Sequence, residues 1–391
     1  MSSITSIAGL RARTRRTSDQ RMANHRTVTF LVAVVLLLSV IGLGATMSAS
    51  WVVALNSEGA SPFLYFYRQA AWLVAGVVVM VVASRVPYQY YQKFAAPIFG
   101  VSLVGLMAVL LIGKEVSGAR RWIDLGFTSF QPSEFAKFAL VVFLAAVLTR
   151  KDRLLGDFAH YAAPVFTSIG VVVLLLIKQP DFGTALVVVA GALTVVAVSS
   201  TPLRFIVVSM ALGLLGVSVL AISQEYRAAR IAAFFSDNVD VLGAGYQLDQ
   251  SLKALGTGGL FGIGLGESRA RWMFLPNSHT DFIFAIIGEE LGFLGASFIL
   301  LAFALLSVLG TVVALRAPDR FGRLLAAGTT AWIVAQAVIN VGGVIGALPI
   351  SGIALPFISY GGTALVMAMG SVGVLINIAR QGCAGGMHRK R

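Results

Sequence analysis

Charge is what this sequence has least of. Of its 391 residues 12% are charged, where a soluble domain carries about 25%; 57% are hydrophobic and the mean hydropathy is +0.85. So little polar surface leaves no room for separate soluble domains and points to a polytopic membrane protein. The one cysteine, Cys383, excludes an intrachain disulfide. No unit of 20–50 residues recurs and no inverted repeat is legible, which counts against a rocking carrier. Acidic residues are outnumbered, giving a net charge of +13. That excess is not interleaved with aromatics in a basic domain, so no nucleic-acid partner is expected.

What the chain has in abundance is apolar runs. About 20 residues cross a bilayer core of ~30 Å. Runs of that order lie near 28–49, 65–84, 94–113, 132–149, 161–178, 181–199, 204–222, 282–314, 323–347 and 361–380. The expected fold is therefore all-α, a polytopic membrane protein of about ten transmembrane helices with one large extracytoplasmic loop, 223–281. Only Lys178-Gln179-Pro180-Asp181 divides the fifth run from the sixth, and a proline there either ends a helix or kinks it. The first run is read as a retained anchor, since it is longer than a signal-peptide core, although Ala45-Thr46-Met47-Ser48-Ala49 resembles a cleavage site. Three divisions follow: a basic tail over 1–27, a membrane domain over 28–380 and a basic tail over 381–391.

Basic residues set the orientation. Nineteen fall on the side that holds Arg11, Arg13, Arg15, Arg16, Arg21 and Arg26 before the first run and Arg389, Lys390 and Arg391 at the end; nine fall on the other side. Both termini are expected in the cytoplasm. Within the outer loop, Leu248, Leu252 and Leu255 recur at helical spacing over 246–255. The glycines that follow, Gly256, Gly258, Gly259, Gly262, Gly264 and Gly266, fit neither a dinucleotide fingerprint nor a phosphate loop. Close backbone packing or a hinge is the expectation.

Two corners concentrate chemistry. In Leu275-Pro276-Asn277-Ser278-His279-Thr280-Asp281 a polar loop turns into a helix that carries Glu289 and Glu290 inside an apolar run. Ionisable groups there cost about 2.5–3.5 kcal/mol each on insertion scales, which marks them as functional candidates. Asp281 and Thr280 also suit a helix N-cap, the simpler reading from position alone. His279 has no second histidine nearby, so it carries no metal site. Glu289 and Glu290 cannot both face one partner, and at least one is expected to bond a neighbouring helix.

The other corner is Arg120-Arg121-Trp122 followed by Gln131-Pro132-Ser133-Glu134 and Lys137. Pro132 suits a first helical turn, and Glu134 and Lys137, three apart, share a helix face. They form either an internal ion pair that locks two helices or the wall of an outward cavity. Arg120 and Arg121, on the poorer side for basic residues, suit a lipid phosphate or plain interfacial anchoring beside Trp122. Arg68 is a further anion contact or a snorkelling residue. Between the last two runs, Leu348 to Gly362 carries two prolines, several glycines and no charge, which reads as a re-entrant, protein-buried loop.

Together these blocks resemble the SEDS family, the FtsW/RodA/SpoVE group of bacterial cell-wall proteins. The resemblance rests on Arg121-Trp122-Ile123, Gln131-Pro132-Ser133-Glu134 with Lys137, Gln179-Pro180-Asp181, His279-Thr280-Asp281-Phe282 and Ala347 through Gly362, in order over roughly 28–380. Ile287 to Gly292 is more similar to the division branch, FtsW, than to the elongation branch, RodA. Thr363 stands where the family usually has serine, and Ala354 where proline is common.

The resemblance implies an inverting peptidoglycan glycosyltransferase that polymerises lipid II at the outer face of the bacterial cytoplasmic membrane, in septal synthesis during cell division. It implies Asp281 as catalytic base and Arg121, Lys137 and Arg68 as cations for the leaving diphosphate. Glu134 and Trp122 would shape the substrate cavity. No tightly bound cofactor and no protein metal site are expected, a divalent cation such as Mg2+ being an optional companion of the diphosphate. The implied partners are a class B penicillin-binding protein, the transpeptidase, and other divisome membrane proteins. The competing readings are an elongation-type polymerase, a lipid II flippase and a non-catalytic scaffold.

Overall fold

The structure, a computed structural model, describes residues 2–55, 61, 63–116, 118–126, 128–222, 245–272, 275–276 and 278–382, with the side chains of the first helix described over 22–51. The side chains of Arg11, Arg13, Arg15, Arg16 and Arg21, the tail from Cys383 onward and loop residues 223–244 lie outside the described residues.

The helices are α1 (Ser2–Leu55), α2 (Leu64–Arg85), the short α3 (Gln89–Lys93), α4 (Ala95–Ile112), α5 (Pro132–Arg150) and α6 (Phe158–Lys178). There follow α7 (Phe182–Val198), α8 (Leu203–Ile222), α9 (Tyr246–Gly258), α10 (Ile283–Leu315), α11 (Arg320–Val344) and α12 (Gly362–Gln381). Among the described residues nine are long and apolar enough to cross a membrane, and α7, at 17 residues, is a shorter apolar tenth. These ten fall on the ten apolar runs. The division at 178–181 is a helix end: α6 stops at Lys178, and Asp181 caps α7, accepting from the Thr184 N–H at 3.3 Å.

The interior is built by α5, α7, α11 and α12, while α2, α4 and α8 show mostly exposed apolar faces, the arrangement of a bundle in lipid. Small residues set the spacing. A Cβ on Gly328 of α11 would stand 2.4 Å from Val195 of α7 and 2.7 Å from Val141 of α5, so the three helices meet at bare backbone. At the end away from the start of α10, a polar belt closes the bundle. The Tyr88 hydroxyl donates to Asp319 at 2.6 Å, Asn377 accepts from the Tyr88 N–H at 3.0 Å, and Arg320 pairs with Asp152.

An element the sequence reading did not anticipate follows α4. Strands β1 (Lys114–Val116), β2 (Ala119–Asp124) and β3 (Ser129–Phe130) form a small antiparallel sheet in the order β1-β2-β3. Lys114 stands opposite Trp122 and Ile123 opposite Phe130. Arg120, Arg121 and Trp122 thus lie on a strand. It presents alternate residues to opposite sides: Arg120 pairs with Glu115 outside, whereas Arg121 turns toward the bundle.

The run over 283–315 is 33 residues, about 50 Å of helix and too long for one straight span. Gly292 breaks it, with φ +67° and ψ −167°. Ile283–Leu291 and 293–315 are therefore separate helical pieces, and Glu289 and Glu290 sit at the break instead of deep in a span. The backbone groups freed at the break are taken up by the glycine run. The Ile263 N–H donates to the Glu289 carbonyl at 3.0 Å and Gly264 N–H to that of Glu290 at 3.2 Å. In return the Phe293 N–H donates to the Gly259 carbonyl at 2.8 Å and Leu294 N–H to that of Leu260 at 3.2 Å.

The glycines make this docking possible, as close backbone packing requires. Gly262 has φ +81°, and a Cβ there would lie 2.0 Å from the Glu290 carbonyl oxygen. Gly262→Ala is accordingly expected to cost about 2–4 kcal/mol, from left-handed strain and backbone displacement together. A thermal-unfolding series on the purified chain checks this; a midpoint equal to wild type would mean the glycine run does not dock this way.

Candidate functional site

A cavity of about 1600 Å³ opens at the end of the bundle where Asp281 precedes α10. Its wall includes Arg68 of α2, Arg121 and Trp122 of β2, Glu134 of α5, Asp181 before α7, Asp281 before α10, Gln336 of α11 and the segment 348–354. Five of the six candidate residues read from the sequence thus meet around one space. Lys137 is the exception.

Lys137 lies beneath the wall, its side chain 1% exposed. Its ammonium is 2.8 Å from Glu134 Oε2, donates to Gln336 Oε1 at 2.5 Å and stands 4.8 Å from the Trp332 ring centroid. The ion pair is present but lies within α5, and Glu134 is also part of the cavity wall. The link to a second helix is the bond to Gln336, and Lys137 reaches the cavity only through Glu134 and Gln336. A buried pair of this kind is stable because each charge keeps its partner.

Arg121 is held over the cavity by backbone. Its Nε donates to the Gln179 carbonyl at 3.3 Å, and its Nη2 to the Pro180 carbonyl. Gln179, itself fully buried, donates to the Leu106 carbonyl at 2.9 Å. The Gln-Pro-Asp junction thus seats the arginine and places Asp181, which accepts from Ser133 at 3.3 Å, on the same wall. Arg68 is exposed at the rim, with the Tyr360 hydroxyl bonded to it.

Asp281 is half-buried and lines the cavity. The N-cap of α10 is Phe282, which makes no side-chain cap bond, so neither Thr280 nor Asp281 is the cap the position suggested. What fixes the segment is the loop between α11 and α12, together with α11 itself. Three consecutive carbonyls are pinned: His279 accepts from the Tyr360 N–H at 3.1 Å, Thr280 from the Ser359 hydroxyl at 2.6 Å and Asp281 from the Asn340 amide at 2.7 Å. Asn340 also donates to Ile353 at 2.7 Å, and Ser359 accepts from the Leu355 N–H at 2.7 Å. Beside this clamp, Gly352 (φ +68°) leaves space, since a Cβ there would stand 3.6 Å from Asp281 Oδ2.

The clamping loop is buried, as a re-entrant segment must be. Ile353, Leu355, Phe357, Ile358 and Ser359 are all nearly inaccessible, and a Cβ on Gly42 of α1 would meet the Ile358 backbone at 2.5 Å. Thr363 keeps the hydroxyl expected at its position and donates to the Ser129 carbonyl at 3.2 Å, tying α12 to β3. Ser359→Ala removes one of the three pins and is expected to lower turnover about tenfold to a hundredfold. The chain should stay folded, with a stability loss of about 1–3 kcal/mol. Unchanged turnover would separate the clamp from the chemistry.

His279 packs against the rings of Tyr65 and Tyr360, at 5.4 and 5.9 Å. Burial holds its pKa below the ordinary histidine value, so it is neutral at pH 7 and supplies no cation to the cavity. Among the described residues no three His, Cys, Asp or Glu side chains gather as a metal cage. Glu289 and Glu290 diverge. The first accepts from Ser268 and from the backbone N–H groups of Arg269 and Ala270 at 3.2 Å; the second accepts from Ser48 of α1. Both are structural anchors of the outer loop and neither lines the cavity.

The sequence reading missed Gln336, Asn340 and Ser359 and gave Asp181 no role. Gln336 and Asn340 carried a signal, being polar and four apart on one face of an apolar run.

Residues 28–383 match the family model FtsW/RodA/SpoVE, described as cell cycle protein. The chain is 39% identical over 352 residues to stage V sporulation protein E of Bacillus subtilis, covering 90% of this chain and 96% of that one. It is 38% identical over 364 residues to the probable peptidoglycan glycosyltransferase FtsW of Geobacter sp. strain M18, covering 92% and 98%. Among solved structures it is similar to a chain from "Structural coordination of polymerization and crosslinking by a peptidoglycan synthase complex", at TM-score 0.74, 30% identity and 90% and 97% coverage. The rod shape determining protein RodA of Thermus thermophilus matches at TM-score 0.66 and 30% identity, covering 90% and 96%. With a family model matching nearly its whole length and relatives close to 40% identical over nine-tenths of it, this chain belongs to the FtsW/RodA/SpoVE (SEDS) family of cell cycle proteins.

Proposed function

We propose that the chain is a peptidoglycan glycosyltransferase that polymerises lipid II in septal wall synthesis, at the outer face of the cytoplasmic membrane. The observation that carries this reading is the clamped Asp281 on a cavity whose wall also bears Arg121 and Arg68. The relatives named FtsW support the reaction. Both termini then lie in the cytoplasm, in keeping with the distribution of basic residues.

In the proposed reaction a sugar hydroxyl of one strand attacks C1 of a lipid-linked donor. As the new C–O bond forms, the bond from C1 to the diphosphate breaks and the electron pair leaves with the polyprenyl diphosphate, with inversion at C1. The hydroxyl proton passes to the Asp281 carboxylate as general base. Arg121 and Arg68 offset the charge growing on the diphosphate. Glu134, held in place by Lys137, orients a sugar hydroxyl, and Trp122 forms an apolar wall. A divalent cation such as Mg2+ would accompany the diphosphate, held by phosphate oxygens and water.

A class B penicillin-binding protein is the proposed partner, supported by the similar chain from a complex that couples polymerisation to crosslinking. Other divisome membrane proteins complete the assembly. The test reconstitutes the full chain with that partner in vesicles, blocks the transpeptidase with a β-lactam, and measures both glycan strands and translocated lipid II. Strands that depend on the chain support the enzyme. Translocation without strands would make the chain a flippase, and strands made equally well without it would leave it a scaffold.

A further inference from the structure

The glycine-rich hairpin over 259–272 exposes large apolar side chains that nothing among the described residues covers. Leu260 is 63% exposed, Phe261 80%, Leu265 77% and Trp272 57%. In a soluble loop such a patch would be a liability. Here its place is set by the backbone. The bonds from Phe293 N–H to the Gly259 carbonyl and from Leu294 N–H to the Leu260 carbonyl put the hairpin level with the first turn of the membrane-crossing half of α10. That half carries an exposed apolar stripe, Leu294, Phe298, Leu301, Leu305 and Val308, at helical spacing. The backbone bond between Leu294 and Leu260 places exposed Leu260 and Phe261 at the head of this stripe.

We infer that this hairpin is an interfacial anchor, seated in the outer leaflet beside α10. Three features support lipid as the occupant. The patch borders the exposed apolar stripe of a helix long and apolar enough to cross a membrane. Trp272 provides the amphipathic ring that settles at headgroup depth. Exposed Arg269 sits beside it, a cation for lipid phosphate. The glycines serve this placement, because only bare backbone lets the hairpin lie against the break at Gly292.

The consequence is a fixed depth for the site. The hairpin is bonded to the Gly292 break, and the short helix running back from that break, Ile283–Leu291, begins beside Asp281. A loop held in the leaflet therefore sets the height of Asp281 relative to the plane where lipid-linked diphosphates lie. This last step rests on the proposed function; the seating of the hairpin in lipid does not.

The test places a spin label at Phe261→Cys and Leu265→Cys, one at a time, in the full chain with Cys383→Ser, reconstituted in vesicles without partner. Labels at Leu301→Cys, on the α10 stripe, and at exposed Glu267→Cys give the lipid and water references. The expected result is that positions 261 and 265 collide with oxygen in preference to a water-soluble nickel chelate, as 301 does and 267 does not, at a depth of about 5–10 Å. Preferential nickel access would put the hairpin in water, and protection from both reagents would put protein over it; either overturns the inference. Since no step reads activity, a failed polymerase assay leaves this result standing, and the reverse also holds.

Discussion

Asp281→Asn is expected to leave a folded, membrane-inserted chain that polymerises about a hundredfold to ten-thousandfold more slowly than wild type, the range a positioned general base contributes. The substitution keeps the size of the side chain, and the three pins that hold residues 279–281 all end on backbone carbonyls, so the clamp stays closed. What it removes is an acceptor for the attacking hydroxyl's proton. The loss belongs in kcat, because the donor is held by its diphosphate and sugars and not by this carboxylate. Polymer yield from wild-type and variant chains in the same vesicles, with equal folding shown by thermal unfolding, checks the expectation. A small drop with a raised KM would make Asp281 a binding residue.

The second large effect is on stability. Lys137→Met leaves Glu134 buried with its cation gone, and breaking a buried pair from one side costs about 3–5 kcal/mol. Glu134 would answer by taking up a proton or by turning outward into the cavity, so activity falls with stability. The double change Lys137→Met with Glu134→Gln is expected to recover much of the stability, because no charge is then stranded, while activity stays low. Thermal midpoints of the single and double variants, compared as a cycle, read this directly. A double variant no more stable than Lys137→Met alone would contradict the pair as drawn from its 2.8 Å contact.

Much of this site is legible in the sequence, and the reasons differ residue by residue. Ten spans follow from hydropathy alone, because backbone in lipid has only the helix to satisfy it. The Glu134–Lys137 pair follows from spacing of three on one helix. The buried 348–362 loop follows from composition. The helix break, the clamp and the sheet were not legible. Gly292 sits within an apolar run whose hydropathy gives no warning of a break; only the excess length of that run, about 50 Å, hinted that a straight helix could not fit. The clamp on residues 279–281 joins positions some 60 to 80 apart in sequence, as 340 with 281 and 359 with 280, and a contact of that range leaves no local trace. The sheet around β2 is a local contact, Lys114 lying opposite Trp122, yet strands this short leave too few residues for a period of two to stand out. The alternation that turns Arg120 and Arg121 opposite ways was therefore not legible.

The capping reading of Asp281 failed for a related reason. Sequence position placed it just before an apolar run, where an aspartate commonly accepts the first free N–H groups. The helix instead begins after Phe282, and the tertiary clamp fixes where it starts. Asp281 itself is part of the cavity wall.

The measurement that bears most directly on the account is the pH dependence of kcat/KM for polymerisation, wild type against Asp281→Asn, under conditions where both remain folded and partner-bound. A carboxylate base must be ionised to act, so the wild-type rate should fall about tenfold per pH unit once the pH drops below the pKa of that base, and the variant's residual rate should lose this acid limb. If Asp281→Asn keeps the same acid limb at a comparable rate, the proton goes elsewhere and Asp281 is not the base.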